Sequence, residues 1–188
     1  MENMKPLKVQ LWPLKGCESL GIAVRFKTND SRRTPEELVK KLQTLGFNIT
    51  EEEIFSPIPV VINTLLTLGL RPYLMVHQDI RAAFEKIDQS SPNCVVIGDL
   101  GGNISSEVFN KAYQVLTSSP SPVLVKLGNE KYYKEKNEMV LGAASYAAAL
   151  EIPRSKRNEK PTNVKNPSGD ISHEIQTRNF VKSSSMDI

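Results

Sequence analysis

The chain has 188 residues, enough for one sizeable domain or two small ones. Its hydrophobic content of 39% is low for a fully packed globule, which leaves part of it outside any core. Seven Lys/Arg and four Asp/Glu fall after Ile152, which accounts for the whole net charge of +3 and leaves 17 of each sign before it. A neutral body gives no electrostatic case for a nucleic-acid partner. No apolar run approaches the roughly 20 residues that span a bilayer. The N-terminal MENMKPLKVQLWPLKG is poor in apolar residues and broken by prolines, unlike a signal peptide. A soluble cytoplasmic protein is expected, with the nucleus as a second location. Cys17 and Cys94 are the only cysteines, and in a reducing compartment they read as thiols rather than a disulfide.

In chain order, IAVRF (22–26) has strand character and runs into a polar stretch. Thr34-Pro35-Glu36-Glu37 then reads as a helix start, with an N-cap, proline at the first position and acids in the first turn. Leu38, Val39, Leu42 and Leu45 keep helical spacing, and Gly46 ends the helix. IPVVINTLLTLGL reads as a second helix ending near Gly69. Strands are expected at 72–76, 94–98 and 122–127, with helices at 79–87 and 105–116 between them. A hairpin turning at Lys136-Asn137 and a helix over AASYAAALE complete the pattern. Strands separated by helices of this length make βαβ units, so the fold class is α/β with a largely parallel sheet. After Ile152 the periodicity stops, and a segment so rich in Ser, Asn, Lys and Pro is expected to be disordered.

Few residues carry chemistry on spacing alone. Thr28-Asn29-Asp30-Ser31 follows a strand and puts small hydroxyl and amide donors where a phosphate could sit. The plainer reading of such a stretch is a turn and helix cap. Asp99, between Gly98 and Gly101-Gly102 after four apolar residues, has the look of a metal-loop acid. A magnesium site needs oxygen ligands from more than one loop, however, and no other aspartate ends an apolar strand near the N-terminus. Asp99 is therefore read as the end of a structural strand, with its glycines forming a turn. His77 follows a strand and could act as a base, but the only other histidine is His173, in the tail, so no histidine cluster arises. Tyr132-Tyr133 between Lys131 and Lys134 reads as a sheet edge, with ligand stacking as the alternative.

Several stretches in unbroken order resemble one family: VRFKTNDSRRTPEELVKKLQTLGFNITEEEIFSP, GLRPYLMVHQDIRAAFEKID, PNCVVIGD, NKAYQVL and YYKEKNEMVLGAASYAAALE. They run from about Leu20 to Ile152 and are similar to haloacid dehalogenase-like hydrolases. The resemblance implies a Rossmann-like core interrupted by an α/β cap. It also implies a magnesium-dependent phosphatase acting on phosphohistidine, phospholysine and inorganic pyrophosphate through an aspartyl-phosphate. Substrates would be phosphorylated small molecules or proteins, and the cap would support a homodimer.

Of the four family motifs, only the phosphate-holding Thr/Ser is matched, at Thr28 with Asn29 beside it, so these two are the candidate phosphate-binding residues. The nucleophilic aspartate is missing, since no aspartate precedes Asp30. The lysine and the acidic loop that would complete the magnesium site are missing too. Lys160-Pro161 lacks the surrounding strand and takes no role. The expected organisation is a partial core at 1–56, a cap at 57–151 and a disordered basic tail at 152–188, as in a partial or alternatively spliced chain. Losing the returning half of the core would leave apolar sheet edges open. Two readings follow: a phosphatase by lineage whose present chain is inactive, or a non-catalytic cap module that dimerises or binds a full-length partner.

Overall fold

The computed structural model describes residues 16–17, 20–101, 104–135, 137–155 and 162–164. It forms two packing units, each built on parallel strands. The smaller unit is a βαβ element. Strand β1 (Phe26–Lys27) pairs in parallel with β2 (Ile54–Phe55), in the register Phe26 to Ile54 and Lys27 to Phe55. Helix α1 (Pro35–Thr44) makes the crossover. Its start is a capping box: the Thr34 hydroxyl accepts from the Glu37 N–H at 3.3 Å, and the Glu37 carboxylate accepts from the Thr34 N–H at 2.9 Å. It ends in a Schellman motif, with the Gly46 N–H donating to the Gln43 carbonyl and the Phe47 N–H to the Leu42 carbonyl. Gly46 is the left-handed residue that this motif needs (φ 92°). Leu38 and Leu42 bury one stripe of α1 against Ile49 and Ile54, with Phe26 and Phe47 in an edge-on contact at 6.1 Å.

The larger unit follows Ser56. Helix α2 (Pro57–Thr67) leads into a parallel sheet of β3 (Pro72–Met75), β4 (Cys94–Ile97), β5 (Val123–Lys126) and β8 (Thr162–Val164), in that spatial order. Helix α3 (Ser106–Ser118) joins β4 to β5. An antiparallel hairpin, β6 (Tyr132–Glu135) and β7 (Glu138–Leu141), and helix α4 (Ala143–Ser155) follow β5. Alternation along the strands divides the core. Leu74, Val76, Cys94, Val96 and Val125 face α2, Ile80 and Phe84, whereas Met75, Val95, Ile97 and Leu124 face α3 and α4. All four residues of β4 are buried, as a strand covered on both faces should be. The arrangement is a three-layer α/β/α sandwich, so the α/β class and the parallel sheet are as expected.

Three local expectations change. The strand expected over 22–26 narrows to Phe26–Lys27, because its partner β2 offers only two residues before Pro57 begins α2. The helix expected at 79–87 is a 3-10 helix over Gln78–Phe84, held by bonds such as the Ile80 N–H to the His77 carbonyl. A piece this short can bury Ile80 and Phe84 with three-residue turns and needs no full α-helical ladder. The third change is β8, which pairs in parallel with β5 within the stretch read from sequence as a structureless tail. Met1 to Lys15 and most of the chain after Ser155, including Lys160-Pro161 and His173, lie outside the described residues.

Candidate functional site

The loop after β1 carries the two residues singled out from the sequence. The ladder extends one step past β1, where the Thr28 N–H donates to the Phe55 carbonyl at 3.0 Å. Side chains then fold the loop. The Thr28 hydroxyl accepts from the Asp30 N–H at 3.0 Å, and the Asp30 carboxylate accepts from the Arg32 N–H at 2.9 Å and pairs with Arg33. These are the local side-chain-to-backbone turns expected of Thr and Asp. They deliver the chain to the Thr34 cap. Thr28 is half-buried and Asn29 exposed. Asn29 makes no side-chain hydrogen bond with the other described residues, and the Thr28 hydroxyl hydrogen takes no acceptor among them. Lys41 lies close by on α1, where burial and then the charge of Arg33 push its ammonium below the usual lysine range. The loop therefore carries hydroxyl and amide donors unspent among the described residues after the C-terminal end of a parallel strand, where open α/β sheets bind ligands, and its arginines are paired with carboxylates.

Opposite the loop, the larger unit presents Asp99, Tyr133 and Glu135. Asp99 follows β4 and is 5% exposed. Its Oδ1 accepts from the Gly101 N–H at 2.8 Å, and its Oδ2 accepts from the Tyr133 hydroxyl. Burial, then the Asp99 hydrogen bond and charge, push the Tyr133 hydroxyl well above its ordinary range, so it stays a donor. Arg32 completes the group. Its Nε lies 3.6 Å from Asp99 Oδ2, its Nη1 donates to both oxygens of Glu135 at 3.0 and 3.2 Å, and its guanidinium sits 5.4 Å over the Tyr133 ring. Burial disfavours the Arg32 charge, but the Glu135 hydrogen bond and the fields of its neighbours outweigh it and raise the pKa.

Beside this group is an open cleft of about 230 Å³ lined by Arg32, Arg33, Glu37, His77, Asp79 and Glu135. His77 accepts through Nδ1 from the Asp79 N–H at 3.3 Å. Thr28 and Asn29 adjoin the cleft in sequence but do not line it. Strand β4 ends at Ile97, so Asp99 lies two residues beyond it and does not itself end the strand, and Gly101 turns the chain with φ 55°. Sequence reasoning missed the role of Asp99 as an anchor for Arg32 and Tyr133. It also missed Glu135, which no local pattern marks. Of the tyrosine pair, Tyr132 is exposed on the sheet edge and Tyr133 turns inward. Magnesium, which the family resemblance implies, finds no set of ligands: among the described residues no three His, Cys, Asp or Glu side chains converge. The Asp99 carboxylate is already committed to Arg32, Tyr133 and Gly101.

Residues 11–90 match the family model for haloacid dehalogenase-like hydrolases. The chain is 46% identical over 130 residues to phospholysine phosphohistidine inorganic pyrophosphate phosphatase of Homo sapiens, a match covering 69% of this chain and 48% of that protein. The chain is similar to haloacid dehalogenase-like proteins over part of their length. Haloacid dehalogenase-like hydrolase domain-containing protein 2 of Bos taurus is 31% identical over 138 residues, with 73% and 52% of the two chains covered. The chain thus spans about half the length of the curated relatives it matches. Among solved structures, the fold superposes on 4-nitrophenylphosphatase from Thermotoga maritima with a TM-score of 0.74 at 21% identity, covering 92% of this chain and 68% of that one. The p-nitrophenyl phosphatase from Archaeoglobus fulgidus gives 0.73 at 16%, covering 89% and 65%. The described residues therefore share the fold of these two structures. No described helix is long and apolar enough to cross a membrane.

Proposed function

We propose that this chain holds a phosphoryl group at Thr28 and Asn29, as the phosphate-gripping part of a haloacid dehalogenase-like phosphatase, and does not hydrolyse it unaided. The observation that carries the reading is the Thr28 loop. It follows the C-terminal end of a parallel strand, it is flanked by Arg32, Arg33 and Lys41, and its hydroxyl hydrogen and Asn29 amide are unspent among the described residues. A phosphoryl oxygen would accept from both donors. The ligand class is that in the name of the human relative: inorganic pyrophosphate and phosphorylated lysine or histidine side chains.

Positioning alone does not break a P–O or P–N bond. The family reaction needs an attacking carboxylate, and the sequence holds no aspartate before Asp30, which is already paired with Arg33. Magnesium would neutralise the developing charge in that reaction, and among the described residues no ligand set for it converges. Titration calorimetry with pyrophosphate should therefore show binding that weakens about tenfold in Thr28→Ala, one lost hydrogen bond to a charged group. Phosphate release measured with and without magnesium should stay at the buffer rate. Magnesium-dependent turnover would overturn the inactive reading, and unchanged binding in Thr28→Ala would move the site elsewhere.

The second reading, a module that pairs with another copy, draws on the hairpin. Tyr132, Met139 and Leu141 are all more than half exposed, with Tyr132 directly opposite Leu141. Size-exclusion chromatography tests it, and a strictly monomeric chain removes it.

A further inference from the structure

Among the described residues no apolar cluster spans the two packing units. One core gathers Phe26, Leu38, Leu42, Ile49 and Ile54, and the other clusters draw only on residues after Ser56. Among the described residues, chain connectivity through Ser56 and polar contacts hold the units in one arrangement. Those contacts gather on Arg32. From the loop after β1 it reaches Asp99, beyond β4, and Glu135, on β6, so one side chain ties down two separate elements of the larger unit.

The acceptors are not equivalent. Glu135 is partly exposed and can return to water when released. Asp99 is buried, yet it keeps the Tyr133 hydroxyl and the Gly101 N–H after Arg32 leaves. Neither carboxylate is stranded by separation, so parting the units costs the cation's pairing and its stacking on Tyr133 but orphans no buried group. Contacts of this kind in half-exposed surroundings are weak enough to open and are screened by salt. We infer that Arg32 is a latch: it holds the β6–β7 hairpin and the Asp99 turn down beside the Thr28–Asn29 loop, and the units part about Ser56 when its pairing is broken. The inference rests on the contacts and not on the phosphatase reading.

The experiment measures a distance and reads no turnover. Spin labels are placed on Thr44→Cys in α1 and Gln114→Cys in α3, both exposed positions, in the full chain carrying Cys17→Ser; Cys94 is buried and stays unlabelled. At about 50 mM salt the parent should give one narrow distance. Arg32→Met, Glu135→Gln and Asp99→Asn should each add a longer, broader population, shifting the closed-to-open ratio several-fold. Raising salt to about 1 M, where screening acts within roughly 3 Å, should do the same to the parent. Arg32→Glu should open the chain furthest, and combining it with Glu135→Arg should recover part of the narrow peak. Glu135→Gln is a surface change that leaves both cores untouched, so it keeps the test valid if Arg32 variants fold poorly. A distribution unchanged by these variants and by salt would overturn the latch, as would a parent that is already broad.

Discussion

One terminal nitrogen of Arg32 donates to both carboxylate oxygens of Glu135, 103 positions further along the chain, at 3.0 and 3.2 Å. The side chains are 28% and 38% exposed, so water screens the pair and side-chain entropy opposes it. Its contribution to global stability should be small even though it links two units. Glu135→Gln is expected to lower the unfolding free energy by about 0.5 kcal/mol, and the difference should vanish in about 1 M salt. Urea melts of parent and variant at both ionic strengths measure this. A loss beyond roughly 2 kcal/mol would mean that the pair is far better desolvated than its exposure indicates.

Asp99 is expected to behave differently, because it is buried, accepts two hydrogen bonds and also pairs with Arg32. Asp99→Ala leaves the Gly101 N–H and the Tyr133 hydroxyl without their acceptor, while Arg32 loses an ion pair and keeps Glu135. Unsatisfied buried donors cost about 1–3 kcal/mol each where water cannot replace the partner, so a total of about 3 kcal/mol is expected. Asp99→Asn keeps an acceptor oxygen and the shape, and should cost less than half as much. Near-equal losses in the two variants, read from denaturation midpoints, would show that volume and not hydrogen bonding sets the value.

These two cases show which parts of the molecule were legible in the sequence. Helix α1 was, because its start and stop are local chemistry: Thr34-Pro35-Glu36-Glu37 at one end and Gly46 at the other. Strand β4 was, because four consecutive apolar residues before glycine leave little choice. The Thr28 loop was legible as a position after a strand. Arg32 was not, since nothing within a few residues distinguishes it from a solvated loop arginine, and its partners are brought to it only by the fold. Tyr133 shows the same limit. Alternation in the hairpin puts it on the opposite face from Tyr132, but which face turns inward depends on where Asp99 lies. The strand expected at 22–26 narrowed for a related reason, because a ladder is only as long as its partner.

Gly101 sits where a side chain meets two obstacles. Its φ of 55° is left-handed, and a Cβ there would lie 2.7 Å from His77 Cδ2. The backbone conformation alone costs a non-glycine residue about 1 kcal/mol, and the imidazole must swing away as well. Gly101→Ala should therefore destabilise the chain by about 1–2 kcal/mol and move the His77 ring signals in an NMR spectrum. If the His77 signals stay put while stability falls, the backbone term is the whole effect. Wild-type stability would show that the turn adopts another conformation.

The Cys94 thiol is fully buried in β4, and that burial pushes it up to about 12 from an ordinary value near 9.0. The folded state therefore holds the thiol proton more tightly than the unfolded state does. Above a pH of about 9 the unfolded chain gains by ionising this group and the folded chain does not. The stability attached to the neutral thiol is fully present below about pH 9 and is lost progressively as pH rises toward about 12. The burial-raised hydroxyls of Tyr133 and Tyr146 act in the same direction at still higher pH. Cys94→Ala removes this titration at the expense of a small cavity in the core, so the variant should be less stable at neutral pH by about 1 kcal/mol. Its stability should also fall less steeply between pH 9 and 10.5. Chemical denaturation across that range separates the two effects, because the cavity shifts the whole curve and the thiol changes its slope. Parallel curves for parent and variant would show that Cys94 ionises as easily in the fold as outside it.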